Sequence, residues 1–300
     1  MKKLKKYHGV IIPMLTPILS SGKIDEESVK KMLDYFLQND TFPFVLGTTG
    51  EIASNSYANR ERYVKIAADH LDGKSILYAG ISDNCIDHSI ELSKKYSSLG
   101  VNVCVAHLPN FFPLTPDLML KHFETLADNS PVPIIIYNIQ SITHMTIPIE
   151  IIEKLSYHEN IVGLKDSNRG WERVEELIAK FKERDDFSLF IGWTAKSADA
   201  LLSGFDGIVP NPGNVTPALF QALYKAAISG EKEKALKLQE EVDKLIELVQ
   251  KDKTMTRTIP ELKVLMNHLN ICKPFVLPPL KALEDGEAEL LVQEFKRLKI

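Results

Sequence analysis

The chain has 300 residues, 44% of them hydrophobic and 25% charged, with a formal net charge of −4. That balance supplies ample apolar material for a globular core and gives no reason to expect a nucleic acid or other polyanion partner. No apolar run is long enough to span a bilayer, and Cys85, Cys104 and Cys272 are odd in number and widely spaced, so no membrane partner, no disulfide framework and a reducing cytoplasm are expected.

The basic start, MKKLKKYHG, looks like the first region of a signal peptide. The apolar stretch behind it, VIIPML, is too short and holds Pro13, so a cleaved signal is not expected. Val10–Leu15 reads instead as a first strand, followed by a helix opening near Asp25. Phe44–Leu46 precedes a helix from Tyr57 to His70. Ser75–Ile81 precedes one over Asp87–Ser98, and Asn102–Ala106 one over Pro116–Ala127. Pro133–Tyr137 leads to a helix near Pro148, Ile161–Leu164 to Trp171–Glu183, Phe187–Ile191 to Ala195–Leu202, and Gly207–Val209 to Pro217–Ile228.

Runs that are apolar on both faces indicate a parallel sheet covered by helices, and their alternation with helices indicates βαβ units. Eight units predict an α/β fold, a (β/α)8 TIM barrel over residues 1–228. A doubly wound open sheet is the alternative, but no GxGxxG follows the first strand. Residues 229–300 read as a helical C-terminal extension packed on the barrel. Its first helix would carry Leu236, Leu238, Val242, Leu245, Ile246 and Val249 on one side, and Pro260, Pro274 and Pro278–Pro279 would break the rest.

Barrel enzymes gather their catalytic groups at the C-terminal ends of the strands, which makes those ends a shortlist. The second strand ends in GTTGE. Thr48 and Thr49 between glycines could present hydroxyls and N–H groups to a carboxylate or phosphate, or could form a plain turn with a capping Thr. Tyr137 ends the fifth strand, either as a proton-transfer group or as a buried tyrosine with a structural hydrogen bond. Lys165 follows the apolar run IVGL. It could snorkel toward water, pair with Asp166, or be a desolvated nucleophile with a lowered pKa. His107 and His144 stand at other strand ends. The histidines show no HxxxH or HExxH spacing, so no metal site is expected. A carboxylate cradle, a tyrosine and an apolar-walled lysine on neighbouring strands suit Schiff-base chemistry on a 2-keto acid, with an iminium as electron sink and no metal or organic cofactor.

GTTGE, YN at the end of strand five, GLKDS at the end of strand six and the pair Thr16–Pro17 resemble the dihydrodipicolinate synthase/N-acetylneuraminate lyase family of class I aldolases across essentially the whole chain. The resemblance implies that Lys165 forms the Schiff base with pyruvate and Tyr137 carries the proton. Thr48 and Thr49 would hold the pyruvate carboxylate, and Val209 would line the pocket. It further implies small-molecule 2-keto acid and aldehyde substrates and a homotetramer or homodimer. The true synthases usually carry an arginine soon after YN, where this chain has Ile142, and a relay tyrosine after strand four, where it has Phe111 and Phe112. PNFFPLT is closer to the aromatic-aromatic-Pro pattern of the sialic acid lyases. Those lyases place an acidic pair after the glycine of strand seven, whereas Gly192 is followed by Trp193, Thr194 and Ala195. Gln140 and His144 also replace the family's usual Pro and Gly. Ser167, Gly192, Asn211 and His144 are therefore expected near a different aldehyde.

The leading expectation is an aldolase or lyase that cleaves a 2-keto-3-deoxy acid to pyruvate and an aldehyde. Dihydrodipicolinate synthase, a Schiff-base dehydratase and a ligand-binding protein that keeps the fold without turnover are the alternatives.

Overall fold

The computed structural model of the chain describes residues 4–300. Eight parallel strands close into a barrel in sequence order: β1 (Gly9–Pro13), β2 (Phe42–Val45), β3 (Tyr78–Gly80), β4 (Val103–His107), β5 (Ile134–Asn138), β6 (Ile161–Asp166), β7 (Ser188–Ile191) and β8 (Gly207–Ile208). The last closes on the first, with Gly9 opposite Gly207 and Val10 opposite Ile208. Between them lie α1 (Glu26–Leu37), α2 (Tyr57–Leu71), α3 (Ile86–Leu99), α4 (Pro116–Asn129), the short α5 (Gln140–Thr143), α6 (Ile149–Leu155), α7 (Trp171–Phe181) and α8 (Ser197–Ser203). After α9 (Pro217–Ile228) come α10 (Lys232–Val249), α11 (Met255–His268) and α12 (Asp285–Leu298). No helix among the described residues is long and apolar enough to cross a membrane.

The two faces of the strands feed two separate apolar clusters. Ile11, Phe44, Tyr78, Val103, Val105, Ile135, Tyr137, Phe190 and Val209 fill the barrel interior. Residues such as Val10, Ile12, Val45, Cys104, Ile134 and Leu164 point outward into the larger core beneath the helices. Both clusters exclude water, so the strands read as continuous apolar runs and not as alternating ones. Local signals set the helix ends. The Asp25 side chain accepts from Ser28 N at the start of α1, and the Ser56 side chain from Asn59 N at the start of α2.

The structure differs from the sequence reading in four places. β6 runs two residues past Leu164, so Lys165 and Asp166 are strand residues paired with Tyr137 and Asn138 on one side and Phe190 and Ile191 on the other. The unforeseen α5 is a single turn, ended by His144 in the left-handed region at φ +58°. Pro260 lies inside α11 without breaking it. Thr258–Met266 is buried throughout, and this packing outweighs the local cost of the missing N–H. On α10, Ala235, Gln239, Val242, Leu245 and Val249 face inward while Leu236 is exposed, so the buried stripe is rotated from the expected one.

Asp166 faces away from the barrel axis and is not a surface charge. Its carboxylate accepts from Arg173 Nε at 2.9 Å, Asn138 Nδ2 at 3.0 Å and Asn168 N at 2.9 Å. Arg173 also donates to Ile147 O, and Ile147 N donates to Asn138 Oδ1, both at 3.0 Å. The C-terminal ends of β5 and β6 are thereby locked to α7 and to the loop after α5. Arg173→Met would leave the Asp166 carboxylate buried without its cation. We expect a loss of about 3 kcal/mol of stability, the usual size for breaking such a pair, read as a lower urea midpoint; a loss below about 1 kcal/mol would show that the network is not a clamp.

Candidate active site

Strand register decides which side chains share the barrel interior. Tyr137 stands opposite Lys165, Lys165 opposite Phe190, and His107 opposite Tyr137. Lys165 is 5% exposed, and its Nζ lies 3.7 Å from the centroid of the Tyr137 ring and 5.1 Å from that of Phe44. Burial pushes the Lys165 pKa below the ordinary lysine value, and the neighbouring Tyr137 opposes that shift. The lowered value is what an amine nucleophile needs, because only the neutral amine attacks a carbonyl.

His107 contacts Tyr137 edge-on, with ring centroids 6.1 Å apart. Its Nδ1 lies 2.7 Å from Leu108 O, so Nδ1 carries the proton of the neutral ring. Burial lowers the His107 pKa, the Leu108 carbonyl opposes this, and Lys165 lowers it further. His107 therefore adds no positive charge beside the lysine at neutral pH.

The GTTGE loop begins where β2 ends. Gly47 packs on the Phe44 ring, where an added Cβ would lie 3.0 Å away. Leu46 and Glu51 bracket the loop in the left-handed region, at φ +57° and +54°. Gly80 lets β3 approach closely: a Cβ there would sit 2.0 Å from Leu46 O. Thr16 Oγ1 donates to Gly50 O at 2.5 Å and Asn55 Nδ2 to the same oxygen at 3.1 Å. Thr49 is buried and Thr48 partly so. Among the described residues, the N–H groups of Thr48, Thr49 and Gly50 meet no protein acceptor. A row of backbone donors without partners suits an anion.

Ser167 and Gly192 lie against each other. A Cβ at position 192 would be 2.0 Å from Ser167 Oγ, and Gly192 N donates to Asp166 O at 2.7 Å. Val209 belongs to the interior cluster with Tyr137, and its N–H donates to Ile191 O at 2.9 Å. Ile142 is partly buried against that same cluster. Phe111 and Phe112 are 74% and 68% exposed and contact each other edge-to-face. His144 is exposed. Asn211, expected to meet substrate, is taken up by the extension: its Oδ1 accepts from Gln250, and its Nδ2 lies 3.6 Å from Met255 Sδ. No group of three or more His, Cys, Asp or Glu residues among the described residues is placed to hold a metal ion.

The sequence reading missed the supports of the loop. Glu51, the last residue of GTTGE, pairs with Lys263 of α11, and both side chains are fully buried. Asn214 joins β1 to the loop after β8, donating to Pro13 O at 2.9 Å and accepting from Leu15 N at 3.1 Å. Nothing in the chain's local pattern marks these pairs, because their partners lie on distant elements.

A filled parallel barrel brings a buried lysine onto a tyrosine ring at strand ends, and the family that the chain matches is one of carbon–carbon lyases of the class I aldolase type. The sequence matches the Dihydrodipicolinate synthetase family over residues 6–298, and the chain belongs to that family. It is 28% identical over 294 residues to a 4-hydroxy-tetrahydrodipicolinate synthase of Staphylococcus haemolyticus, covering 98% of this chain and 97% of that one. The dihydrodipicolinate synthase structure from Bacteroides thetaiotaomicron superposes with a TM-score of 0.93 at 25% identity, over 98% of this chain and 100% of that one. A prophage protein of the same family from E. coli K12, solved in complex with pyruvate, gives 0.92 at 23% identity, over 98% and 99% of the two chains.

The lowered Lys165 pKa gives a signed prediction. The rate of imine formation with a 2-keto acid should rise with pH and level off below pH 10.5, the ordinary lysine value. A rate still climbing steeply at that pH would mean the amine is not desolvated.

Proposed function

We propose that the protein is a pyruvate-dependent aldolase that cleaves or forms a 2-keto-3-deoxy acid, in the manner of N-acetylneuraminate lyase. The observation that carries this reading is the buried Lys165 amine stacked on Tyr137, with the unpartnered N–H donors of Thr48 and Thr49 in the loop that follows β2. The Lys165 amine adds to the C2 carbonyl, and the carbonyl oxygen leaves as water with protons delivered through Tyr137. The resulting iminium withdraws electrons from the C3–C4 bond. In the cleavage direction Tyr137 takes the proton of the C4 hydroxyl, that bond breaks, and the aldehyde departs from an enamine. In the synthetic direction the enamine attacks the aldehyde and the proton returns. Thr48 and Thr49 hold the carboxylate, while the backbone near Val209, with Ser167 and Gly192, shapes the space for the aldehyde. The lysine itself supplies the electron sink, so this chemistry calls for no metal or organic cofactor.

Ile142 supports an uncharged aldehyde. It adds an apolar side chain to the interior cluster where a carboxylate-bearing aldehyde would need a cation. The exposed Phe111 and Phe112 carry no hydroxyl for a proton relay. The second reading is 4-hydroxy-tetrahydrodipicolinate synthase, favoured by the name of the Staphylococcus haemolyticus relative. We read the working protein as a cytoplasmic homotetramer or homodimer, residues 229–300 forming an extension of the 1–228 barrel.

Two variants test this reading with pyruvate and an aldehyde panel. Tyr137→Phe should cost roughly two to four orders of magnitude in rate, the usual size of a general acid–base contribution; a near-normal rate would remove Tyr137 from its role. Wild type should prefer uncharged aldehydes, and Ile142→Arg should shift that preference toward aspartate semialdehyde. Efficient wild-type use of aspartate semialdehyde would instead favour the synthase.

A further inference from the structure

Lys263 is, with Lys5 and Lys165, one of three lysines held out of water among the described residues, and the mechanism above gives it no part. Its side chain is fully buried on α11, in the C-terminal extension. Its Nζ pairs with the Glu51 carboxylate and donates to Phe275 O at 2.6 Å. Glu51 Oε2 in turn accepts from Leu277 N at 2.8 Å. One residue of the GTTGE loop is thus bound to two points of the extension, Lys263 and Leu277.

A buried ion pair is a poor way to add stability, since apolar side chains of similar volume often serve as well. What it does provide is geometry: charge-assisted bonds hold one arrangement and reject others. That function fits the backbone here. Glu51 sits at φ +54°, a region that non-glycine residues rarely adopt, and a peptide so placed needs outside contacts to stay there. Thr48 and Thr49 lie three and two residues before it, and Glu51 N itself donates to Thr48 O at 3.1 Å. Pulling on Glu51 therefore pulls on the threonines.

We infer that the Lys263–Glu51 pair is a positioning device that sets the Thr48–Thr49 donors for the keto acid carboxylate, making α11 of the extension a working part of the site. The inference rests on the proposed Schiff-base reading and deepens it. Neither residue touches the substrate. Their effect is on how well the loop receives the carboxylate and not on the chemistry at Lys165.

The test is borohydride inactivation of the full chain at varied pyruvate, which needs no aldehyde. Glu51→Met/Lys263→Met removes both charges at matched volume, so neither is left stranded, and circular dichroism verifies that it folds. Glu51→Gln is the milder companion, losing the charge while keeping an acceptor for Leu277 N. The double variant should raise the half-saturating pyruvate concentration ten-fold or more, with a much smaller change in the limiting inactivation rate, and Glu51→Gln should fall between it and wild type. If the folded double variant, or Glu51→Gln, saturates within two-fold of wild type while wild type inactivates normally, the positioning role is wrong. Failure of wild type to inactivate with pyruvate would overturn the Schiff-base reading itself and this inference with it.

Discussion

The placement of Lys165 Nζ over the Tyr137 ring, in an interior with almost no access to water, is the contact on which the rest of the structure depends. A lysine in water is an ammonium ion and no nucleophile. Inside the barrel the charged form loses its hydration, and the aromatic faces of Tyr137 and Phe44 return only part of it. The amine's pKa is thereby lowered beside the Tyr137 phenol.

Holding that contact requires the strand ends to be rigid, and two layers of polar anchoring surround the apolar interior. Outside β5 and β6, Asp166 gathers Arg173, Asn138 and Asn168. Behind the β2 loop, Glu51 gathers Lys263 and the backbone at Leu277. Neither set faces the substrate space. On β6 strand alternation sets the two side chains on opposite faces, Lys165 inward and Asp166 outward. The C-terminal extension belongs to this anchoring, since Gln250 and Met255 also hold Asn211 in the loop after β8.

Much of this was legible in the sequence because it is local. Doubly apolar runs alternating with amphipathic stretches indicate the barrel, and its strand ends make Lys165, Tyr137, Thr48 and Thr49 candidates. The pairs formed by Glu51 with Lys263 and by Asp166 with Arg173 were not legible in the same way. GTTGE looked like a loop with a capping hydroxyl, and only tertiary packing brings α11 against it. Asp166 looked like half of a surface pair, because side-chain direction at a strand end depends on how far the strand continues. The contacts of Asn211 with Gln250 and Met255 are invisible in the sequence for the same reason, since both partners lie in the extension. Pro260 was read as a breaker by local propensity, which the buried packing of α11 overrides.

The central claim is that Lys165 is a nucleophile. It is tested most directly by reducing the protein with borohydride in the presence of pyruvate and mapping the modified peptide by mass spectrometry. The account predicts a reduced pyruvyl adduct on Lys165, absent without pyruvate and absent in Lys165→Ala. A folded protein that yields no adduct alongside a working control aldolase, or that carries the adduct on another lysine, would contradict it.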